Sequence, residues 1–320
     1  MPVTIADILA GRSVGDLQSV GQMQVIPILG EDDDTWSAPD IEASTLNYGR
    51  VNVRNTSNRR TIVPPGSSFI TKQMAQDHGV GDGAIVPANE SKEFTNARCV
   101  QETQGGLIKS EKGTMVVLPA RLRAQIIRKE KMSHDYSAMW TDIRAHNALF
   151  GVTQAGYGGR GNVVEFLNGC AKELDEFVAE FEMVDDQIGA IVLVNGKIAG
   201  IEIAPNRAYW EFLWTPLIRV CYGSIALLAQ RRVGRGYPET RPAFKCKGNS
   251  LDAIVEALDD AEQASQVIVA SVIQGLATKE LGIPASRAAK LAHVDAAGLI
   301  GGVLTERSKV AYASLVAAQA

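Results

Sequence analysis

A glycine-rich segment near the middle of the chain has residue types and spacing that suit phosphate binding. Gly156, Gly158 and Gly161 form a G-x-G-x-x-G pattern, and Arg160 adds a positive charge. Asn162 can cap the helix predicted to follow, and backbone N–H groups at a helix N-terminus bind phosphate. A Rossmann fold is excluded, because no buried strand precedes the glycines and no acidic residue follows at a strand end. The segment is therefore a candidate ligand-binding loop, with a flexible surface loop as the alternative.

His78 is the histidine with the most suggestive neighbours, because it lies in the segment Gln-Asp-His-Gly. Cys99 belongs to the same β-rich region, and a histidine beside a thiol can activate it as a nucleophile. Loop and core roles are the alternatives for both residues. His134, His146 and His293 are isolated, and the sequence has no HExxH motif and no closely paired cysteines. The sequence therefore predicts no metal site, no cofactor and no assembled catalytic group.

A basic connector, Arg231–Lys247, is the second candidate ligand site. It contains Arg235 and Arg241, and its cations alternate with the aromatic residues Tyr237 and Phe244. Cations and aromatic rings in this arrangement can hold a phosphate or a single strand of nucleic acid. The alternatives are a solvated linker and a cationic patch that contacts an acidic patch on a neighbouring subunit.

The overall composition is that of a globular protein, with 46% hydrophobic and 21% charged residues among 320. The net charge is −4, so we expect no general affinity for nucleic acid or for membranes. The four cysteines are far apart and are expected to be reduced thiols. The N-terminus lacks the pattern of a signal peptide, and no apolar run is long enough to span a bilayer. We therefore expect a cytoplasmic protein, or one assembled into a particle in the cytoplasm.

The segment Ile188–Ile203 predicts a β-hairpin at the centre of the fold. Asn195-Gly196 favours a two-residue type I′ turn, because both residues tolerate positive φ. A regular ladder from this turn places Ala190 opposite Ile201. The residues then expected on one face are Ile188, Ala190, Val192, Val194, Ala199, Ile201 and Ile203.

The changing periodicity along the chain predicts an α+β fold. A β-rich part of short strands spans residues 12–120, and helices with the hairpin between them span 120–232. Residues 1–248 are expected to form one domain, and residues 249–320 a mainly helical C-terminal extension packed on it. Within the extension we expect a short helix at Pro284–Leu291 and a final strand at Lys309–Val316.

The alanine-rich segment Leu251–Leu281 predicts a long helix with two unequal halves. In the first half, Leu251, Ile254, Val255 and Leu258 lie on one side at helical spacing. In the second half, the apolar run Val267–Ile273 covers more than one side. We therefore expect this second half to be buried all round, in part by a neighbouring subunit.

Several segments resemble a bacterial and phage family, the ADP-ribosylglycohydrolase- and rhodanese-phosphatase-associated domain. The matching segments are Val14–Leu29, Ala84–Val100, Met139-Trp140 and Leu174–Ile203. The family is named for its gene neighbours, so the resemblance implies a link to ADP-ribose or NAD-derived nucleotides. It implies no reaction that can be transferred to this chain.

The chain departs from the family pattern at two polar positions. Phe69–Met74 stands where relatives have an acidic segment, and Gln101–Gly106 replaces a Gly-Arg-Trp segment. The resemblance also implies that Leu251–Leu281 is an addition to the family's domain.

Two hypotheses of different class follow. The first is a non-enzymatic, self-associating structural or binding protein of bacterial or phage origin, whose partner is a second copy of the chain. The second is a protein that binds or processes ADP-ribose or NAD-type nucleotides, using Arg160, the glycine-rich segment and His78. The first is preferred, because no catalytic group is assembled by the sequence and the charges are segregated.

Overall fold

The computed structural model describes residues 2–70, 77–103, 105–106, 114–130, 135–152, 160–233 and 250–319. Helices and antiparallel strands occur together through these residues, which confirms the predicted α+β class. The strands are β1 (Pro2–Thr4), β2 (Ser13–Val14), β3 (Gln18–Val20), β4 (Met23–Leu29), β5 (Ile41–Asn47), β6 (Arg50–Asn55), β7 (Thr61–Val63), β8 (Ser67–Ile70), β9 (His78–Val80), β10 (Ala84–Val86), β11 (Ser91–Phe94), β12 (Arg98–Cys99), β13 (Thr114–Val117), β14 (Gln187–Val194), β15 (Lys197–Ile203), β16 (Glu280–Pro284), β17 (Lys290–Ala296), β18 (Leu299–Glu306) and β19 (Lys309–Ala317). The helices are α1 (Ile5–Leu9), α2 (Ala120–Lys129), α3 (Trp140–Leu149), α4 (Val163–Gly169), α5 (Ala171–Glu180), α6 (Arg207–Thr215), a π-helical segment (Pro216–Tyr222), α7 (Gly223–Val233) and α8 (Leu251–Ala277).

One antiparallel sheet of eight strands organises the molecule. Its order is β17-β18-β19-β15-β14-β4-β2, with β3 also paired to β4. The hairpin β14–β15 lies near the middle, between the N-terminal strand β4 and the C-terminal strand β19. Strands from the first third and from the last third of the chain therefore flank the hairpin on opposite sides.

The C-terminal region differs from its sequence prediction after helix α8. The short helix predicted at Pro284–Leu291 is wrong, because β16 ends at Pro284 and β17 begins six residues later. Pro284 starts no helix; it pairs with Pro2 at the end of a two-stranded ladder, where a missing N–H is tolerated. The region predicted to be mainly helical is one helix followed by four strands. Its last strand, predicted at Lys309–Val316, is confirmed as β19.

The hairpin turn is the one that the sequence predicts. Asn195 and Gly196 have φ values of 53° and 68°, and Val194 pairs with Lys197. Positive φ at both central residues is the signature of the type I′ turn.

The register beyond the turn is different, because a bulge interrupts the ladder. Leu193 still pairs with Ile198, but the next pair joins Val192 to Gly200 and leaves one residue extra on β15. Ala190 therefore lies opposite Glu202, and the predicted pairing with Ile201 is wrong. A shift of one residue turns the following side chains to the other face.

The two faces of the sheet pack against different elements. One face carries Ala190 and Val192 and packs with α2, α6, the π-helical segment and α7, together with the short N-terminal sheets. The other face carries Ile191, Ile201 and Ile203 and packs with α1 and the second half of α8. The bulge thus sends two isoleucines to the α8 face and Glu202 to the α2 face.

The helical stretch Arg207–Val233 changes its hydrogen bonding at Pro216. Pro216 has no N–H to donate, and the chain is π-helical from Pro216 to Tyr222. Gly200 leaves no room for a Cβ atom, because the Tyr222 hydroxyl group and a backbone carbonyl approach it closely. The stretch is long and apolar enough to cross a membrane by composition, but 67% of its apolar window is buried inside the protein.

Candidate functional site

A buried polar network joins the hairpin to the helices that cover it. The Arg123 side chain is fully buried, and its Nη1 atom donates to the Glu202 Oε1 atom over 2.6 Å. Tyr222 donates to the same carboxylate over 2.6 Å, and Ser314 donates to its other oxygen over 2.5 Å. Arg123 also donates to the Ser314 hydroxyl group and to the Pro65 carbonyl oxygen. The network links α2, β15, β19 and the π-helical segment, and it is enclosed by the core.

Such a network holds the fold together and is not a binding site. A buried ion pair is costly to form, but removing one partner leaves a buried charge without compensation, at about 3–5 kcal/mol. Both carboxylate oxygens of Glu202 accept hydrogen bonds from the chain itself, and the surrounding core encloses them.

A surface cleft of about 770 Å³ lies beside the hairpin turn; we call it the hairpin cleft. Its walls come from the turn, from α2 and α3, from α7 and from the end of β19. The side chains that line it are of two main kinds, cationic and apolar. The cations are Arg121, Arg128, Lys197 and Arg232, and the main apolar residues are Leu149, Phe150, Ile198, Ile225 and Leu228.

The cations of the hairpin cleft have no carboxylate to balance them. None of the described residues that line the cleft is acidic. Arg121, Lys197 and Arg232 are exposed and form no ion pair with any described residue, while Arg128 donates to the carbonyl oxygen of Ala318. The cleft is therefore a concentrated positive surface on a protein whose net charge is −4.

His146 adds a neutral polar group to the same cleft. Its ring packs between Phe150 and Phe166, at centroid distances of 4.9 and 4.6 Å, and is 2% exposed. Burial, and then the positive charge of Arg121, lower the pKa of His146 to about 3. Neither ring nitrogen has a hydrogen-bond partner among the described residues. A neutral imidazole has one N–H and one lone pair, and both ring nitrogens of His146 are shielded from solvent.

Helix α8 presents a second surface of interest. Its second half packs on the sheet, with Leu276 1% exposed and Val269, Val272 and Ile273 half-buried against the core. Within one chain only one side of this half meets the sheet and Val267 is 68% exposed, so burial all round would require a neighbouring subunit and stays a prediction.

The first half of α8, residues 251–262, is covered only along the side that carries Ala257, which is 6% exposed; we call this half the overhang. Leu251 is 76% exposed and Leu258 is 55% exposed, with Ile254 and Val255 at 40% and 48%. At 100° per residue these four side chains lie on the same side of the helix as the packed residues of its second half. The apolar side of α8 therefore continues past the part that the chain's own sheet covers.

Acidic residues border this apolar stripe. Asp252 and Asp259 lie next to it on the helix surface, seven residues apart, and Glu262 lies at its end. No lysine or arginine occurs between Leu251 and Ala277. The overhang is therefore both apolar and negatively charged.

The structure brings His78 and Cys99 together but buries both of them. They lie opposite each other on the paired strands β9 and β12, and the His78 Nε2 atom is 3.2 Å from the Tyr136 hydroxyl oxygen. Both residues are fully buried, and burial raises the pKa of the Cys99 thiol. A buried thiol with a raised pKa is a poor nucleophile, so the core role fits this pair better than a catalytic one.

The remaining predicted site residues divide into two groups. Arg160 and Gly161 are described: the Gly161 N–H donates to the Glu102 carboxylate over 2.6 Å, and that carboxylate pairs with Arg144. The backbone N–H of Gly161 is thus engaged by a carboxylate of the chain itself, where a phosphate would otherwise bind. Four predicted site residues lie outside the described residues, namely Gly156, Gly158, Arg235 and Arg241.

Part of the hairpin cleft could have been predicted from the spacing of cations in the sequence. Arg121 and Arg128 are seven residues apart in a predicted helix and must share one side of it. Lys197 follows the predicted turn directly, and Arg232 ends a helix that packs on the same hairpin. His146 stands alone in the sequence and gives no such signal.

These features define an antiparallel α+β protein with a positively charged cleft on one side of its sheet and a partly uncovered amphipathic helix on the other. The chain matches the family described as ARG and Rhodanese-Phosphatase-superfamily-associated Protein domain (ARPP-1) over residues 11–296, and it belongs to that family. The resemblance noted in the sequence is thereby confirmed. Helix α8 lies inside the matched range, not outside it as an addition. No curated protein and no solved structure matches the chain.

Proposed function

We propose that this protein is a non-enzymatic binding protein that associates with further copies of itself through the overhang of α8. The observation that carries the proposal is the exposed apolar stripe formed by Leu251, Ile254, Val255 and Leu258. Burying one such side chain contributes about 1.5–3 kcal/mol, so four together favour a partner that covers them.

The charge of the overhang supports a second copy as that partner. The stripe is bordered by acidic residues, and the same chain carries Arg121, Lys197 and Arg232, which are exposed and have no acidic partner among the described residues. Complementary charges on one chain favour association between copies of it. From the sequence we still expect a protein of bacterial or phage origin that assembles in the cytoplasm.

The nucleotide hypothesis is the second candidate, favoured by the cations of the hairpin cleft, which form no ion pair with any described residue, and by the neutral His146 in its wall. A phosphate-bearing ligand of the ADP-ribose or NAD type is tested by thermal shift. At 100 times its dissociation constant, such a ligand raises the free energy of unfolding by about 2.7 kcal/mol. No shift with ADP-ribose, NAD or ATP would exclude this candidate.

Sedimentation of matched variants tests the proposal itself. We expect Leu251→Glu with Leu258→Glu to sediment as a single chain at concentrations where the wild type is larger. Val267→Glu is the control, because Val267 is exposed on the opposite side of the same helix. The control should keep the wild-type mass.

Two results would contradict the proposal. One is a double variant with the same mass as the wild type. The other is a double variant that loses thermal stability while the wild type itself is a monomer, which would show that the chain itself covers the stripe.

A further inference from the structure

The overhang and the hairpin cleft carry opposite charges at the same spacing. Arg121 and Arg128 are seven residues apart on α2, which separates them by about 10 Å along the helix axis. Asp252 and Asp259 are also seven residues apart, beside the apolar stripe of α8. Two helices that lie side by side can therefore bring both acids to both arginines.

The apolar residues of the two surfaces also correspond. The hairpin cleft has Ile198, Ile225 and Leu228 in its walls, and the stripe presents Leu251 and Leu258. Helices that bind in grooves are anchored by apolar side chains at spacings of three, four and seven residues, which is the spacing of the stripe.

A helix fits this arrangement better than a small phosphate ligand does. A phosphate is held by cations that converge on one point, whereas Arg121 and Arg128 are two helical turns apart. Lys197 and Arg232 come from two further walls of the cleft. The cations thus come from α2, from the strand after the hairpin turn and from α7, and the cleft they line also has apolar walls.

We propose that the hairpin cleft of one copy receives the α8 overhang of a second copy. The inference rests on the proposed function, because it names the surface on which the overhang docks. The helix and the cleft of one chain are on opposite sides of its own sheet, since α2 and α7 pack on one face and α8 on the other. The contact is therefore head-to-tail, and it produces a closed ring or a filament according to the rotation between copies.

Two complementary variants test the head-to-tail contact. Arg121→Glu with Lys197→Glu inactivates the cleft and leaves the overhang intact; both residues are exposed, so the fold should be unaffected. Leu251→Glu with Leu258→Glu inactivates the overhang and leaves the cleft intact. Each variant alone should sediment as one chain, with association weakened about 100-fold for two changed contacts.

An equal mixture of the two variants should form a complex of two chains and nothing larger. The cleft variant supplies an intact overhang and the overhang variant supplies an intact cleft, so only one contact can form. Arg59→Glu, a change of an exposed arginine outside the cleft, is the control and should assemble as the wild type does.

The outcomes separate this inference from the proposed function. A cleft variant that assembles normally, beside an overhang variant that does not, would overturn the inference and leave self-association standing. The same holds if the mixture shows no complex of two chains. If the cleft variant keeps its mass but loses binding of ADP-ribose, the cleft is a site for a small anion and the inference is wrong. If wild type and all variants are single chains, both proposals fall.

Discussion

The two faces of the central sheet are covered in different ways. On the α2 face, the buried Arg123 guanidinium is paired with Glu202, and the helices leave no large apolar side chain of the hairpin exposed. On the other face, the second half of α8 packs on the sheet, whereas Leu251 and Leu258 in its first half are exposed. The comparison separates two uses of the same residue types. Charges and apolar groups that the chain satisfies itself hold the fold, and those left at the surface indicate a partner.

Replacing Glu202 should cause the largest loss of stability on the α2 face of the sheet. Glu202→Ala leaves the buried Arg123 charge without its carboxylate, and we expect a loss of about 3–5 kcal/mol in the free energy of unfolding. The control is Glu211→Ala, which breaks an exposed ion pair with Arg207 and should cost less than about 1 kcal/mol. Urea unfolding of both variants makes the measurement. Equal losses would show that the network does not support the sheet.

The two halves of α8 give a second comparison. Leu276→Ala removes a buried side chain from the packed half and should cost about 2–5 kcal/mol. Leu258→Ala removes an exposed side chain from the overhang and should change the free energy of unfolding of the single chain by less than about 0.5 kcal/mol. Urea unfolding at a concentration low enough to give single chains compares them. A large loss for Leu258→Ala would mean that the chain itself covers the overhang.

A pH effect is expected from Glu130 at the end of α2. Burial, and then the negative charge of Asp82, raise the pKa of Glu130 to about 7. A carboxyl group with a raised pKa binds its proton more tightly in the folded state than in the unfolded chain, where its pKa is about 4.3. Its stabilising contribution is therefore complete at low pH and is lost as the pH rises through about 7.

Glu130→Gln removes this titration. The free energy of unfolding of the variant should fall less than that of the wild type between acidic and mildly alkaline pH. Identical pH profiles for the two proteins would show that Glu130 is solvated in the folded state.

Much of the fold could be predicted from local patterns. Asn195-Gly196 specified the turn, and Ser250 with the apolar spacing after it specified the start of α8. The bulge on β15 could not be predicted, because it depends on how Gly200 meets the Tyr222 hydroxyl group across the sheet. The strands β17 and β18 were not predicted from the sequence. The glycine pair at 301–302 weakens the local strand pattern, and pairing with β19 stabilises the strand that contains it.

The candidate surfaces were less predictable than the fold. The stripe on the first half of α8 could be seen in the sequence, but only the structure shows that the chain leaves it exposed. The hairpin cleft combines residues from five separate elements, so its charge is a property of the tertiary structure. The pair Arg121 and Arg128 is its one local signal. His78 and Cys99 show the reverse case, in which suggestive residue types are placed in the core.

The mass of the wild-type protein in solution tests the central claim most directly. One chain has a mass of 34.3 kDa. Sedimentation equilibrium at micromolar concentration and moderate salt should give a larger mass that falls as the salt concentration rises, because charged contacts are screened. A mass of one chain at every concentration and at low salt would contradict self-association through α8.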